Sequence, residues 1–214
     1  MQAQGFGFGN LFSNFFAVEP ATTPGAQPVI EQQEEITETY KPSLKFKEKF
    51  AGKSVLLTGA TGAVGSAVAR KILKCNLRKL VVFVRDREDL MESGLEQLAQ
   101  EVAAQGVLHV ETLDLREPQR IEHKFNAAMM AFGGIIDTMI LCHGVVVEKG
   151  LITSTIPQFD QSMLVNVRSM MHLTSLAVPF LKVQPKSSIT ILTSSQGTKP
   201  DPKSPVMSIA SAMV

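Results

Sequence analysis

Residues 54–65 read Ser54-Val-Leu-Leu-Thr58-Gly59-Ala-Thr61-Gly62-Ala-Val64-Gly65. The short apolar run over Ser54–Thr58 ends at glycine and predicts a buried strand. Helical spacing of apolar residues then predicts a helix over Ala63–Leu77, and Leu80–Val84 (Leu-Val-Val-Phe-Val) predicts a second buried strand, so the segment is a β-α-β unit. Glycines at such a strand-to-helix junction have a physical purpose. They allow a tight turn, let a pyrophosphate approach backbone N–H groups, and bring the helix close to the sheet, while the positive end of the helix favours phosphate. A trio of glycines alone is weak. Its position between a buried strand and a helix makes it informative.

The alternation continues outward from this unit. Glu88–Gln105 predicts a helix, Val107–Thr112 a strand, Glu117–Phe132 a helix and Ile135–Leu141 a strand; a long helix over Pro157–Val183 and a strand over Ser188–Thr193 come next. Continuous apolar strands separated by helices indicate a parallel sheet covered on both faces. The expected fold is a doubly wound, Rossmann-like α/β domain over residues 49–214, ending after its fifth strand.

Composition agrees with one such core. Of 214 residues, 44% are hydrophobic and 19% charged, which excludes a disordered or collagen-like chain. A net charge of +1 gives no general attraction to nucleic acid or anionic membrane. No apolar run reaches the ~18 residues of a membrane span. Cys75 and Cys142 lack Cys-x-x-Cys spacing and read as reduced thiols of an intracellular protein, with no metal site expected. Residues 1–48 are different in kind. Met1 to Tyr40 hold no Lys or Arg, so neither a secretory signal nor a mitochondrial presequence fits, and cytoplasmic location is the expectation. Phe6, Phe8, Phe12, Phe15 and Phe16 crowd the start of this acidic segment, and Pro20, Pro24 and Pro28 make its remainder an extended linker. Such a segment is either a tail, disordered or folded back on its own domain, or a docking peptide for a protein partner.

The motifs resemble those of the short-chain dehydrogenase/reductase family over nearly all of residues 50–214. The loop Thr58-Gly59-x-Thr61-Gly62-x-Val64-Gly65 matches the Thr-Gly-x-x-Gly-x-x-Gly of extended and atypical branches, and Ala63 stands where the main branch has its middle glycine. The resemblance implies an NAD(P) site. Arg85, just after the second strand, is similar to the arginine of NADP-preferring members, whereas the adjacent Asp86 argues for NAD; NADP is the expected preference. Asp114 and Leu115 are similar to the acid and apolar residue that contact adenine, and Gly144 is what survives of the family's Asn-Asn-Ala-Gly in Leu141-Cys142-His143-Gly144. A packed cysteine and a locally bonded histidine are expected there.

In the family, a serine polarises the carbonyl, a tyrosine donates the proton, a lysine lowers the tyrosine pKa and holds the nicotinamide ribose, and an asparagine holds a water in the proton relay. Here Asn166 matches the asparagine, and Thr193-Ser194-Ser195-Gln196-Gly197 places the serine at Ser194, with Ser195 as the alternative. The tyrosine and lysine positions fall on Met207 and Ser211. The chain has one tyrosine, Tyr40, and no lysine after Lys203. Methionine transfers no proton and serine carries no charge. The expectation is a non-catalytic, C-terminally shortened member, either naturally short or a piece of a longer chain. It would bind NADP or NAD as a structural ligand and serve as a subunit held to protein partners through the Phe-rich segment and the incomplete sheet. Two other readings stay open: an NADP-dependent oxidoreductase whose missing groups lie beyond this chain or on a partner, and a sensor of NADP(H) occupancy.

Overall fold

The computed structural model describes residues 44–101, 106–150 and 152–214. The phenylalanines of the leading segment, its acidic residues and prolines, and Tyr40 lie outside the described residues. The elements in chain order are α1 (Leu44–Phe50), β1 (Ser54–Thr58), α2 (Ala63–Leu73), β2 (Lys79–Val84), α3 (Arg87–Ser93), α4 (Leu95–Glu101), β3 (Leu108–Thr112), α5 (Pro118–Ala131), β4 (Thr138–Leu141), α6 (Ile156–Met163), α7 (Ser169–Leu181), β5 (Ser188–Ile191) and α8 (Pro205–Ala212). Every strand pairing is parallel, in the order β3-β2-β1-β4-β5. The doubly wound fold expected from the alternation is the observed one.

Strand parity builds the two halves of the core. Successive side chains of a strand point to opposite faces. Leu56, Val81, Phe83, Met139 and Leu141 therefore pack with Ile121 and Phe125 of α5 and Leu173 of α7, while Val55, Leu57, Leu80 and Val82 pack with Ile72 of α2, Leu90 of α3 and Leu95 of α4. Each fully buried Leu, Ile or Phe contributes roughly 1.5–3 kcal/mol. Burial on both faces is why the central strands read as continuous apolar runs rather than alternating ones. Phe46 and Phe50 of α1 pack on the second of these clusters, so this short helix spans position 48.

At the amino ends of the strands, buried Asp137 ties the sheet together. Its carboxylate accepts from the Ser54 amide at 2.9 Å, from Lys53 Nζ at 3.0 Å and from Arg78 Nη2 at 2.8 Å. This fixes β4 against β1 and leaves the opposite, carboxyl ends for the loops.

Three predicted elements are revised. The single helix Glu88–Gln105 is broken at Gly94, whose φ of 64° ends α3 in a left-handed turn before α4 starts. The helix Ala63–Leu77 stops at Leu73, and Asn76 at φ 52° turns the chain toward β2. The long helix Pro157–Val183 contains a π-helical turn, Leu164–Arg168, between α6 and α7. Periodicity misses the π-helical turn because one extra residue of winding leaves the apolar stripe intact, and it misses the other two because each helix end is set by a turn containing a single residue of positive φ, Gly94 and Asn76.

Candidate nucleotide site

The order of the sheet reverses at β1: the chain leaves β1 for β2 on one side and later returns as β4 on the other. In doubly wound sheets a crevice opens at that point, beyond the carboxyl ends of the strands. The loop after β1 and the loop after β4 form its walls here. Between them lies a cleft of about 370 Å³, bordered by Gly59, Thr61 and Gly62 of the glycine loop, Arg85 and Asp89 beyond β2, Asp114, Leu115 and Arg116 beyond β3, and Cys142 to Val145 beyond β4.

The glycines are required by contact as well as by conformation. Gly59 has φ 67°, and a Cβ there would lie 2.7 Å from His143 Cα and N. A Cβ on Gly65 would lie 1.9 Å from the Gly59 carbonyl oxygen. Gly62, the residue before α2, has an extended backbone, and a Cβ there would meet the Gly59 carbonyl oxygen at an ordinary contact distance of 3.5 Å. The first N–H groups of α2 therefore stand at the mouth of the cleft without intrahelical acceptors. This is a cradle that a phosphate fits.

His143 explains how the loop is seated. Ser169 Oγ donates to the Val165 carbonyl at 2.6 Å, so it accepts from His143 Nε2 at 2.7 Å; Nδ1 then accepts from the Thr58 hydroxyl at 2.5 Å. The imidazole is neutral, with its hydrogen on Nε2. Burial pushes its pKa down to about 4, against a smaller opposing effect of the Val165 backbone. Thr58 is thus turned to His143 and does not border the cleft, and the Val64 side chain is half-exposed outside it. Burial raises the Cys142 thiol above its ordinary pKa.

The charged rim has its own pairing. Arg85 binds Asp86 at 3.0 Å and Asp89 at 2.9 Å, and Asp86 also caps α3 by accepting from the Asp89 amide at 2.9 Å. Arg116 grips Asp114, its Nε lying 2.9 Å from Oδ2, and this hydrogen bond holds the Asp114 carboxyl below its ordinary range. Asp89 and Arg116 are cleft residues that the motif reading missed. Arg116, two positions after Asp114, was visible in the sequence, but only the fold shows that it borders the cleft with Arg85.

On the other side of Gly144 the structure is closed. The π-helical turn buries Asn166, whose Oδ1 accepts from the Val145 amide at 2.8 Å and whose Nδ2 donates to the Val145 carbonyl at 2.8 Å and to Ser162 Oγ at 3.0 Å. Met207 Sδ lies 3.8 Å from the same Nδ2, and Ser211, one turn along α8, is buried. Met207 and Ser211 border a small space together with Asn166, and neither borders the cleft. Ser194 is half-buried and does not border the cleft; its Oγ accepts from the Gln196 amide at 3.2 Å. Among the described residues, no group of three or more His, Cys, Asp or Glu side chains converges as a metal site, and no helix is long and apolar enough to cross a membrane.

The family model for short chain dehydrogenases matches residues 53–211. The chain belongs to the short-chain dehydrogenase family, a family of NAD(P)-binding oxidoreductases. It is similar to a tropinone reductase homolog of Arabidopsis thaliana, 27% identical over 147 residues, which cover 69% of this chain and 54% of that one. Hydroxysteroid dehydrogenase-like protein 2 of Rattus norvegicus is 26% identical over 136 residues, covering 63% and 26%. In fold it is similar to the crystal structure of a short-chain dehydrogenase/reductase, a glucose/ribitol dehydrogenase, from Brucella melitensis, with a TM-score of 0.67, 22% identity, and 76% and 65% of the two chains covered. The chain spans about half the length of the tropinone reductase homologs it matches.

Proposed function

We propose that this chain is a nucleotide-binding member of its family that has given up carbonyl chemistry and acts as an accessory or structural subunit of a larger assembly in the cytoplasm. The observation that carries the reading is the α8 surface beside Asn166. It offers Met207 and Ser211 where the family's proton donor and its lysine would stand, and Asn166 itself is fully engaged with Val145 and Ser162. NAD(P) supplies hydride-transfer chemistry when bound to an active family member. In this chain the glycine loop and the start of α2 would hold its pyrophosphate, and Arg85 would meet a 2′-phosphate. Asp86 is engaged as the cap of α3 and does not border the cleft, which supports NADP over NAD. A phosphate displaces only exposed ion pairs from Arg85, which contribute little because water and salt screen them.

The test is turnover. The purified protein, given NADPH or NADP+ with generic carbonyls or alcohols, is expected to show no change in nicotinamide absorbance, since losing a positioned general acid typically costs ~10²–10⁴-fold. A rate like that of an ordinary family member, abolished by Ser194→Ala, overturns the reading.

The partner half of the proposal rests on two surfaces. Ile191 and Leu192 are exposed at the end of β5, which among the described residues pairs with β4 alone. The Phe-rich segment would supply a second contact, and two weak contacts joined by a linker reinforce each other. Deleting residues 1–18 is expected to release the protein from whatever co-purifies with it under mild conditions; a monodisperse monomer before deletion counts against the assembly. The alternative reading is an NADP-dependent oxidoreductase whose missing groups lie outside residues 1–214 or on a partner. An intact mass beyond that of residues 1–214 would favour it.

A further inference from the structure

The end of the sheet opposite the cleft carries a charge that the whole-chain balance conceals. Residues 44–79 hold nine Lys and Arg and a single acid, Glu48, although the chain as a whole has a net charge of +1. The fold gathers most of these cations at one place. The Gly52 amide donates to the Asn76 carbonyl at 2.9 Å and the Arg78 amide to the Lys53 carbonyl at 3.0 Å, so the turn after α1 lies against the turn after α2. Phe46 and Phe50 fasten α1 to the core, with Lys71 of α2 4.7 Å from the centre of the Phe46 ring. Lys53 Nζ donates to the Lys186 carbonyl at 3.2 Å, which brings the loop before β5 to the same end.

Much of this charge is left uncompensated. Buried Asp137 is taken by Lys53 and Arg78. Lys45, Lys47, Lys49, Lys74 and Lys186 are exposed, and among the described residues their side chains make no ion pair or hydrogen bond. Cations at the end of a helix offset its dipole, which accounts for Lys71 and Lys74 at the end of α2. It does not account for Lys45, in the first turn of α1 where a cation is unfavourable, or for Lys186 in a loop. A concentration of like charge without partners in its own domain is matched by a polyanion.

Two features select a lipid surface over a nucleic acid. The unpaired cations are lysines, point charges that are drawn to an anionic plane without a fixed geometry, whereas the planar fork of arginine suits nucleic-acid recognition. Phe46 and Phe50 are packed inward, where they cannot stack on bases. The apolar side chains that do face solvent here are aliphatic: Leu44, next to Lys45, is 77% exposed, and Val183, in the loop with Lys186, is 74% exposed. Such side chains enter a headgroup layer between lysines.

We propose that this basic face, formed by α1, the end of α2 and the loop before β5, docks the domain on an anionic phospholipid membrane. None of its lysines borders the cleft, which lies beyond the opposite ends of the strands, so the docked domain keeps its cleft open to solution.

Co-sedimentation of the full chain with vesicles tests this. The protein is expected to pellet with phosphatidylcholine vesicles containing about one third phosphatidylserine, to stay in solution with phosphatidylcholine alone, and to be released when salt is raised from about 0.05 to 0.5 M. Each lysine near such a surface contributes about fivefold, so Lys45→Gln, Lys49→Gln and Lys74→Gln together should weaken binding about a hundredfold. Arginine at the same three positions should preserve it. Lys199→Gln with Lys203→Gln, exposed in the loop before α8, should weaken it less than about threefold. No binding to the anionic vesicles at low salt, equal binding to both kinds of vesicle, or equal losses from the two sets of substitutions overturns the proposal. Tighter binding to a duplex DNA or RNA oligonucleotide at matched phosphate concentration also overturns it, and assigns the face to nucleic acid.

Discussion

The glycine loop after β1 and the helix α8 both pack against the His143-Gly144 turn, and they occupy that ground in opposite ways. The loop keeps its place by having no side chains: Gly59 and Gly65 touch backbone where a Cβ would stand, and the space above them stays open. The α8 side is held by side chains, with Asn166 clamping Val145 and Met207 and Ser211 filling what lies between. Within one family fold, binding and chemistry have separable requirements. A wall built of backbone and glycine makes no demand on the side chains of α8.

The strongest way to break the comparison is to add one methyl group to the loop. Gly65→Ala would gain roughly 1 kcal/mol of helix propensity in α2, but its Cβ meets the Gly59 carbonyl oxygen at 1.9 Å. A clash of that kind costs about 3 kcal/mol or more, so the clash wins. Urea denaturation should show the loss, and calorimetry should show nucleotide binding abolished. An unchanged midpoint would mean that the loop is less constrained than its contacts indicate.

His143 joins the two sides and gives the next largest effect. The unfolded chain takes up a proton on this residue near pH 6.5, the folded chain only near pH 4. Between those values the unfolded state binds more protons, so stability is fully present above pH 6.5 and falls as the pH drops toward 4, by about 1.4 kcal/mol per pH unit and about 3 kcal/mol in all. Unfolding midpoints measured from pH 7 to 4 should show this slope, and His143→Ala should flatten it. An equal slope in the variant would assign the acid sensitivity to other groups.

Asn166 separates a clamp from a catalytic relay. Asn166→Ala leaves the Val145 amide and carbonyl without their partners and should cost about 1–3 kcal/mol. Nucleotide affinity should change little, because Asn166 does not border the main cleft. A large loss of affinity with normal stability would bring Asn166 into the binding site.

The smallest expected effect is at the rim. Arg85→Ala should reduce affinity for NADP(H) by about threefold to tenfold and leave NAD(H) unchanged, since the arginine must first leave two exposed ion pairs. Equal losses for both nucleotides would make Arg85 a general electrostatic contributor and not a reader of the 2′-phosphate.

Much of the fold is legible in the chain because strand burial and helix periodicity are local. Val55–Leu57 and Leu80–Val84 cannot be placed anywhere but inside a sheet. The glycine spacing is equally local, since a strand-to-helix turn needs those residues in sequence. The identities of Met207 and Ser211 are legible for a simpler reason: residue type needs no coordinates.

What residue type and spacing determined, then, is the doubly wound sheet, the glycine loop between β1 and α2, and which residues stand at 207 and 211. Tertiary structure alone decided the tautomer of His143, the capping duty of Asp86, the approach of Arg116 to the cleft and the closure of the space beside Asn166. Those depend on groups distant in the chain, such as Thr58 with His143 and Val145 with Asn166. Hydrogen bonds and packing are short-ranged, so which distant groups meet is set by how the sheet and helices bring them together and cannot be read from spacing along the chain.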